Sequence, residues 1–400
     1  MKNKYKIPFL FFILVYANQG ISSLPGDCIY YLTRESWLLT ASQIGMIGFI
    51  IGIPWCIKIF WGALIDYFPI KGYRAKYYLY FNYVATLLVY LYIIVYGFNF
   101  WSLIISGFLI NCFIALSDTA NDSQMVILEQ KYKLQGKLQS LQWSSLAIAG
   151  LAVSLGGAFI AQYFPEPFNY KIAYGLAGII PLITLIYLFK SYKEKPIIER
   201  KNPKKILEDL KKILDPKLLF ALLFIACFQL CPSFGTALKI KMREELMIGK
   251  LFIGVLGATG TVLGLIGYAL YYWKFHKCNM RKLLYFMVVF SALTNLFYLY
   301  LPNKWFIVGY NIAFGAFGGI TFMTLLSYFA NLVPKGSEGM IYAFITSLSN
   351  LCARAGSWIG GVIFDHWGYS TNVIISTILT LCCVFIIKHL TLDKLDNHVV

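Results

Sequence analysis

Three carboxylates within one long apolar stretch are the residues best placed to do chemistry. Asp118 and Asp122 are one helical turn apart, and at 100° per residue Glu129 returns to within about 20° of Asp118. Acids are costly in an apolar environment, so they should face a wet cavity or pair with cations. Asp118 and Asp122 are predicted to bind protons reversibly, the alternative being a permanent pairing with a buried cation. Glu129, nearer the end of the stretch, is predicted to belong to a gate.

Two cations lie within apolar stretches, where they are equally costly. Lys58 could satisfy the acids of the 118–129 stretch by facing them. Arg354 has no obvious acidic partner in the apolar stretches of its own half, which favours a contact with an anionic substrate. Either cation could instead serve the other role. The predicted substrate-binding residues are Lys58, Arg354, Asn350 and Trp143.

A charged turn joins the second and third apolar stretches. Asp66 ends one stretch, and Lys71, Arg74 and Lys76 follow within a short turn. Such an acid and its cations can act as a switch that holds helices together and releases them, whereas the plain alternative is a solvated, positively charged turn. The predicted gating residues are Asp66, Arg74, Glu129 and Glu338.

Long apolar runs must position these groups. The chain has 400 residues, of which 59% are hydrophobic and 13% charged, whereas soluble domains carry about 25% charged residues. Runs such as 43–65 and 79–97 are apolar on all faces and about 20 residues long, which is the length of a membrane helix. Strands of a membrane barrel would be about 10 residues long and would alternate in polarity. The sequence therefore predicts an all-α integral membrane protein.

Twelve membrane helices are predicted. Most Lys and Arg residues fall in the loops on the same side of the membrane as the N-terminus. Because cytoplasmic loops are rich in Lys and Arg, both termini should be cytoplasmic, in the cell (inner) membrane. Six helices on each side of a basic linker indicate an internal repeat: domains 1–190 and 217–400, joined by 191–216 with an amphipathic helix at 198–214. The predicted spans are 8–25, 43–65, 78–97, 101–128, 139–162, 170–190, 217–237, 251–273, 283–301, 304–332, 339–362 and 371–390.

The net charge of +17 reports this orientation and an attraction to anionic lipid, and it requires no nucleic acid. The nine cysteines are scattered, mostly in apolar runs, and show no metal-ligand spacing. We therefore expect no metal and no cofactor. The expected partners are a small-molecule substrate, the lipid bilayer and protons, with the protein as a monomer.

Three segments resemble the folate–biopterin transporter family of the major facilitator superfamily. Residues 54–74 read Pro-Trp-Cys-Ile-Lys-x-x-x-Gly-x-x-x-Asp-x-x-Pro-Ile-x-Gly-Tyr-Arg, which is similar to a signature of that family. Residues 118–143 and 334–351 are similar to its fourth-to-fifth helix region and to a loop and helix of its second half. Ile59 and Ala75 depart from the family pattern, which often has Pro and Arg there.

This resemblance implies a major-facilitator fold of two six-helix bundles and a secondary transporter of a folate or pterin. The carboxylates of a folate would bind Lys58 and Arg354 near the bilayer midplane, and protonation of Asp118 or Asp122 would drive the cycle. The alternatives are another cargo, namely S-adenosylmethionine, a nucleoside, a sugar, a peptide or a muropeptide, and, less favoured, an intramembrane enzyme. Such an enzyme needs two acidic clusters to hold a diphosphate through Mg²⁺, and one is present. No nucleotide-binding loop follows either Gly-Lys pair, which excludes an ATP-driven pump.

Overall fold

A computed structural model of the protein describes residues 8–132, 137–194, 215–333 and 338–390. In these ranges the regular structure is helical, apart from a single bridge between Ile70 and Tyr73. Helices satisfy every backbone amide within one segment, as crossing lipid requires. The α-helices are α1 Phe9–Ile21, α2 Gly26–Tyr31, α3 Ala41–Cys56, α4 Lys58–Tyr67, α5 Lys76–Tyr96, α6 Phe100–Tyr132, α7 Lys137–Tyr163, α8 Phe168–Ala177, α9 Ile179–Ser191, α10 Pro216–Leu230, α11 Gly235–Ile240, α12 Lys250–Trp273, α13 Met280–Phe297, α14 Lys304–Leu332, α15 Glu338–Cys382 and α16 Val384–Ile387.

Within the described residues, 11 helical segments are long and apolar enough to cross a membrane. The last of them, Ile341–Ile387, has 47 residues and would measure about 70 Å as a straight helix, more than twice the hydrocarbon thickness. Gly368 interrupts it with φ 80° and ψ 179°, a conformation outside the helical region. The segment is therefore two spans, which gives the twelve that the sequence predicts.

The first and seventh spans are each interrupted near their far ends. The first breaks between α1 and α2 and continues through a π-helical turn, Leu32–Ser36. The seventh breaks between α10 and α11 and continues through the π turn Lys241–Glu245. The predicted bounds 8–25 and 217–237 are too short, since the helical segments run to Ser36 and Glu245. A proline such as Pro25 is typical of a helix end when it is considered alone. Proline is tolerated at the start of a helix, where its missing N–H needs no partner, and α2 begins directly after it.

The two interruptions repeat the same local structure 209 residues apart, from Gly26 to Gly235. The same interval separates the two π turns and the first residues of α3 and α12. It also separates Leu38 and Met247, which share the left-handed conformation with φ of 54° and 50°. The chain therefore contains an internal repeat with equal spacing through this region.

The chain divides into two compact units. Unit 1 comprises Met1–Leu32 and Ile57–Asn202, and unit 2 comprises Thr33–Cys56 and Pro203–Val400. Unit 1 has a buried core around Phe11, Tyr83 and Leu138, and unit 2 has one around Phe224 and Tyr328. The α3 segment of the first repeat thus packs in unit 2. The domain boundaries predicted at the basic linker stay a prediction, and the amphipathic helix at 198–214 lies outside the described residues.

Candidate functional site

A cluster of ionic groups lies inside unit 1. The Lys58 ammonium forms an ion pair with Asp118, and its Nζ is 3.8 Å from Oδ2 of Asp122. The Tyr16 hydroxyl donates to Oδ1 of Asp122 at 2.9 Å. One cation therefore contacts two carboxylates, and an aromatic hydroxyl from α1 holds the second of them. We call Tyr16, Lys58, Asp118 and Asp122 the buried ionic cluster.

The two carboxylates of the buried ionic cluster differ in exposure. The side chain of Asp118 is 4% exposed and that of Asp122 is 36% exposed. With both acids ionised, the lysine leaves one negative charge uncompensated, which is costly in a membrane. A single proton would make the cluster neutral, and Asp122 is the more exposed of the two carboxylates.

Local sequence explains how Lys58 reaches this position. The second span is broken at Ile57, which has φ of −112° and ψ of 26°, so that α4 begins at Lys58 itself. Gly62 lies one turn further along α4, where an added Cβ would come 3.8 Å from the Thr119 side chain of α6. α4 thus runs beside α6 at van der Waals distance, and Lys58 at its start meets the acids of that helix.

Polar side chains of α6 and α7 extend the surroundings of the cluster. Asn121 and Gln142 are fully buried, and among the described residues their amides have no hydrogen-bond partner. Trp143 packs edge-on against Tyr16 with ring centroids 6.3 Å apart. Buried amides nearly always find partners, so these two unpartnered amides are unusual features of the α6 and α7 interior.

Arg354 occupies a different environment, in unit 2. Its Nη1 donates to the carbonyl of Gly48 at 3.3 Å, and its guanidinium lies directly against Gly52, where any Cβ would collide with it. In the part of the chain that the structure describes, no carboxylate pairs with Arg354. Asn350 lies one turn earlier on α15, the same helix. Arg354 is thus a partly buried cation whose charge is not neutralised by the described residues.

The predicted gating turn is well formed in unit 1. Nε of Arg74 lies 3.6 Å from Oδ1 of Asp66, at the end of α4. Lys71 and Gly72 turn the chain with φ of 52° and 81°, and the Tyr73 amide donates to the Ile70 carbonyl at 3.0 Å. The turn therefore brings the arginine back to the acid that precedes it.

Glu194 was not found from the sequence, yet it is the acid with the most contacts at this turn. Its carboxylate accepts the backbone N–H groups of Arg74, Ala75 and Lys76 at 2.8–3.2 Å. It also accepts from Nε2 of Gln124 at 3.2 Å. A carboxylate at the first amides of a helix satisfies donors that have no partner within the helix and stabilises the positive end of the helix dipole. Glu194 therefore fixes the start of α5 and ties it to α6.

The structure brings some of the predicted residues together within each unit. In unit 1, Lys58 meets Asp118 and Asp122, and Arg74 meets Asp66. In unit 2, Arg354 and Asn350 share one helix. The side chains of Glu129 and Glu338 lie outside the described residues. Tyr16, Glu194 and Gly52 carried no sequence signal, because their roles depend on helices distant in the chain.

Comparison with known proteins now decides the family. The model of the BT1 family matches residues 19–392 of this chain. The chain belongs to the BT1 family. It is 25% identical over 375 residues to a folate-biopterin transporter of Synechocystis, covering 88% of this chain and 74% of that protein. It is 24% identical over 413 residues to folate transporter 1 of Plasmodium falciparum, covering 96% of this chain and 79% of that protein.

Solved structures with low sequence identity share the fold. The nucleoside transporter NupG superposes with a TM-score of 0.74 at 10% identity, covering 96% of this chain and 97% of that one. A D-xylose–proton symporter superposes with a TM-score of 0.71 at 15% identity, covering 95% of each chain. The prediction of an all-α, twelve-helix major-facilitator fold is confirmed. This BT1-family protein is a multi-pass membrane transporter.

Proposed function

We propose that this protein is a secondary transporter, and not an enzyme, that moves a folate, a pterin or a related anionic metabolite by alternating access coupled to protons. The BT1 relatives named above are folate and folate-biopterin transporters. The chain carries the ionic groups that such a cargo and such a coupling require, one set in each unit.

The observation that carries the proposal is Arg354. A guanidinium within a membrane helix is expensive unless an anion compensates it, and the described chain supplies it with a carbonyl only. A planar guanidinium matches a carboxylate with two parallel hydrogen bonds. A cargo with carboxylates, such as a folate, fits this site, whereas a cationic cargo such as S-adenosylmethionine is disfavoured by it.

The buried ionic cluster supplies the coupling. When Asp122 takes a proton, Lys58 retains Asp118 as its sole ionised partner and the cluster becomes neutral. When Asp122 loses that proton, the surplus negative charge draws Lys58 toward both acids and makes the cluster less favourable in an apolar setting. A proton arriving at Asp122 therefore changes the charge of α6 beside the break at Ile57, which is where movement of α4 would begin.

The first experiment identifies the cargo. Radiolabelled folate, pterin and S-adenosylmethionine are offered separately to cells that express the protein, with and without an imposed proton gradient. Saturable, gradient-dependent uptake of folate or pterin is expected. Uptake of S-adenosylmethionine alone would contradict the role given to Arg354, and uptake of none of the three would remove the proposed cargo.

The second experiment isolates the coupling in Asp122→Asn. Exchange of cargo against cargo needs no net proton movement, so it should continue at about the wild-type rate, whereas gradient-driven accumulation should fall about tenfold or more, as for loss of a proton-transfer group. Glu166→Gln is the matched control, because Glu166 is an exposed acid of the same unit that lies outside the spans. Accumulation that persists in Asp122→Asn would contradict the coupling role.

We further propose that both termini lie in the cytoplasm, on the basis of the distribution of Lys and Arg. We propose with it a monomer in the cell membrane, because one chain carries both sets of ionic groups. A reporter that is active only in the cytoplasm, fused to the C-terminus, should be active in intact cells. An inactive reporter would indicate the opposite orientation, with the C-terminus outside the cytoplasm.

A further inference from the structure

Two reciprocal ion pairs join the two repeats inside unit 2. Each π turn carries an Arg-Glu dipeptide, Arg34-Glu35 in the first and Arg243-Glu244 in the second. Arg34 donates to the carboxylate of Glu244 through Nε at 2.7 Å and Nη2 at 3.0 Å. Arg243 donates to Oε1 of Glu35 through Nε at 3.1 Å and Nη2 at 2.8 Å. We call these four residues the Arg-Glu latch.

Local structure holds the two arginines in the same way. Each donates Nη1 to the carbonyl five residues later, Arg34 to Leu39 at 3.0 Å and Arg243 to Ile248 at 2.8 Å. The residue before that carbonyl is left-handed in both repeats, as described above. A non-glycine residue in that conformation carries a cost that the surrounding structure must offset. Both guanidinium groups are therefore oriented by their own chain segment before they bind a carboxylate.

Neighbouring groups reinforce the Arg-Glu latch. Nζ of Lys250, the first residue of α12, lies 2.7 Å from Oε2 of Glu35. At the start of α3, the Asp365 carboxylate accepts the N–H groups of Ala41 at 3.0 Å and Ser42 at 2.7 Å. Lys250 of α12 thus binds the π turn that precedes α3, and Asp365 of α15 binds the start of α3, both within unit 2.

We propose that the Arg-Glu latch closes the side of the transporter opposite the N-terminus and opens once in each transport cycle. The first π turn ends the first span, so the chain crosses the membrane once between the N-terminus and the latch. It fastens residues 33–56, which come from the first repeat, within unit 2, and the chain then continues into unit 1 at Ile57. The four side chains are 22–50% exposed, and ion pairs in contact with water open and re-form at little cost. An apolar contact of the same extent would not open and re-form at such a small cost.

The test measures opening without any cargo. Phe49 packs on Trp358, with ring centroids 5.8 Å apart, where α3 meets α15. In purified Phe49→Cys protein in detergent, the rate at which a maleimide modifies residue 49 is followed by peptide mass spectrometry, which leaves the native cysteines in place. This rate should rise about fivefold in Arg34→Glu or Glu244→Arg, the change expected for about 1 kcal/mol of lost ion pairing. The double variant with both reversals should return to the starting rate.

Glu245→Ala is the matched control, because Glu245 lies in the same π turn but pairs at 2.5 Å with Lys241 of its own turn. It should leave the rate unchanged. Thermal unfolding of every variant in the same detergent shows that each is folded. Single reversals that label no faster than Phe49→Cys alone would overturn the latch, and so would a double variant that labels as fast as either single reversal.

Discussion

Lys58 and Arg354 are both cations within apolar helices, but their surroundings differ. Lys58 is held by Asp118, which is almost fully buried, whereas Arg354 is held by a backbone carbonyl. Removing one partner of a buried ion pair leaves the other charge uncompensated, which costs about 3–5 kcal/mol. Removing a cation that has no carboxylate leaves no such charge behind. Breaking the Lys58 pair should therefore lower stability strongly, whereas removing Arg354 should impair transport with little effect on stability.

At the residue scale, we predict that Lys58→Met lowers the free energy of unfolding by about 3 kcal/mol, because it leaves Asp118 and Asp122 without their cation. Arg354→Gln should leave stability within about 0.5 kcal/mol of the parent and yet abolish uptake of an anionic cargo. Thermal unfolding in one detergent compares the two variants. Lys58→Met combined with Asp118→Asn is the control, since removing the buried carboxylate as well should restore most of the stability. Equal unfolding temperatures for Lys58→Met and Arg354→Gln would contradict a buried ion pair between Lys58 and Asp118.

At the element scale, α3 packs on α15 through positions that lack side chains. A Cβ at Gly45 would come 2.9 Å from the Trp358 Cα, and Gly361 lies against the Ala41 carbonyl at a similarly short distance. Gly52 continues this face of α3 and receives the Arg354 guanidinium. Because backbone meets backbone here, the helix pair can hold an arginine at its end in one defined place.

We predict that Gly52→Ala displaces the guanidinium and weakens the apparent affinity for an anionic cargo about tenfold, as expected for the loss of one charged hydrogen bond. Gly48→Ala is the matched control, since nothing lies within 4 Å of its added Cβ and its carbonyl remains available to Arg354. Concentration-dependent uptake gives both affinities. Equal affinities in the two variants would mean that the guanidinium does not depend on Gly52.

At the scale of the whole molecule, Gly368 separates the last two spans. Its φ of 80° and ψ of 179° belong to a region that is open almost only to glycine. Without this break, α15 would be too long for a single crossing, and the number of crossings would change.

We therefore predict that Gly368→Ala lowers the free energy of unfolding by about 1–3 kcal/mol. Gly309→Ala, inside α14 where an added Cβ also meets nothing within 4 Å, should instead raise it by about 0.5–1 kcal/mol. Unfolding by denaturant in mixed micelles compares the two. A Gly368→Ala variant as stable as Gly309→Ala would argue against the backbone geometry at this break.

The sequence predicts the spans well, because an apolar run of about 20 residues has few alternatives to a membrane helix. It also offers the pairing of Lys58 with the acids of α6 as one of two alternatives, and the structure adopts that pairing. It could not reveal Tyr16 or Glu194, since each acts on a helix more than 100 residues away. Their side chains are ordinary ones until the fold places them beside Asp122 and the start of α5.

The interruptions of the first and seventh spans were missed for a related reason. Pro25 looks like the end of a helix when it is considered alone, and residues 231–234 show no residue pattern in common with 22–25. The common feature is geometric: a short break, a helix of six residues and a π turn of five. Local composition does not encode that order.

The constant interval of 209 residues constrains length more strictly than residue type. Through the paired stretches 26–45 and 235–254, few residues are identical, yet every turn and helix start falls at the same count. One inserted residue in either stretch would rotate everything after it by about 100° and turn one arginine away from its glutamate. Deletions and insertions here should therefore be far less tolerated than substitutions.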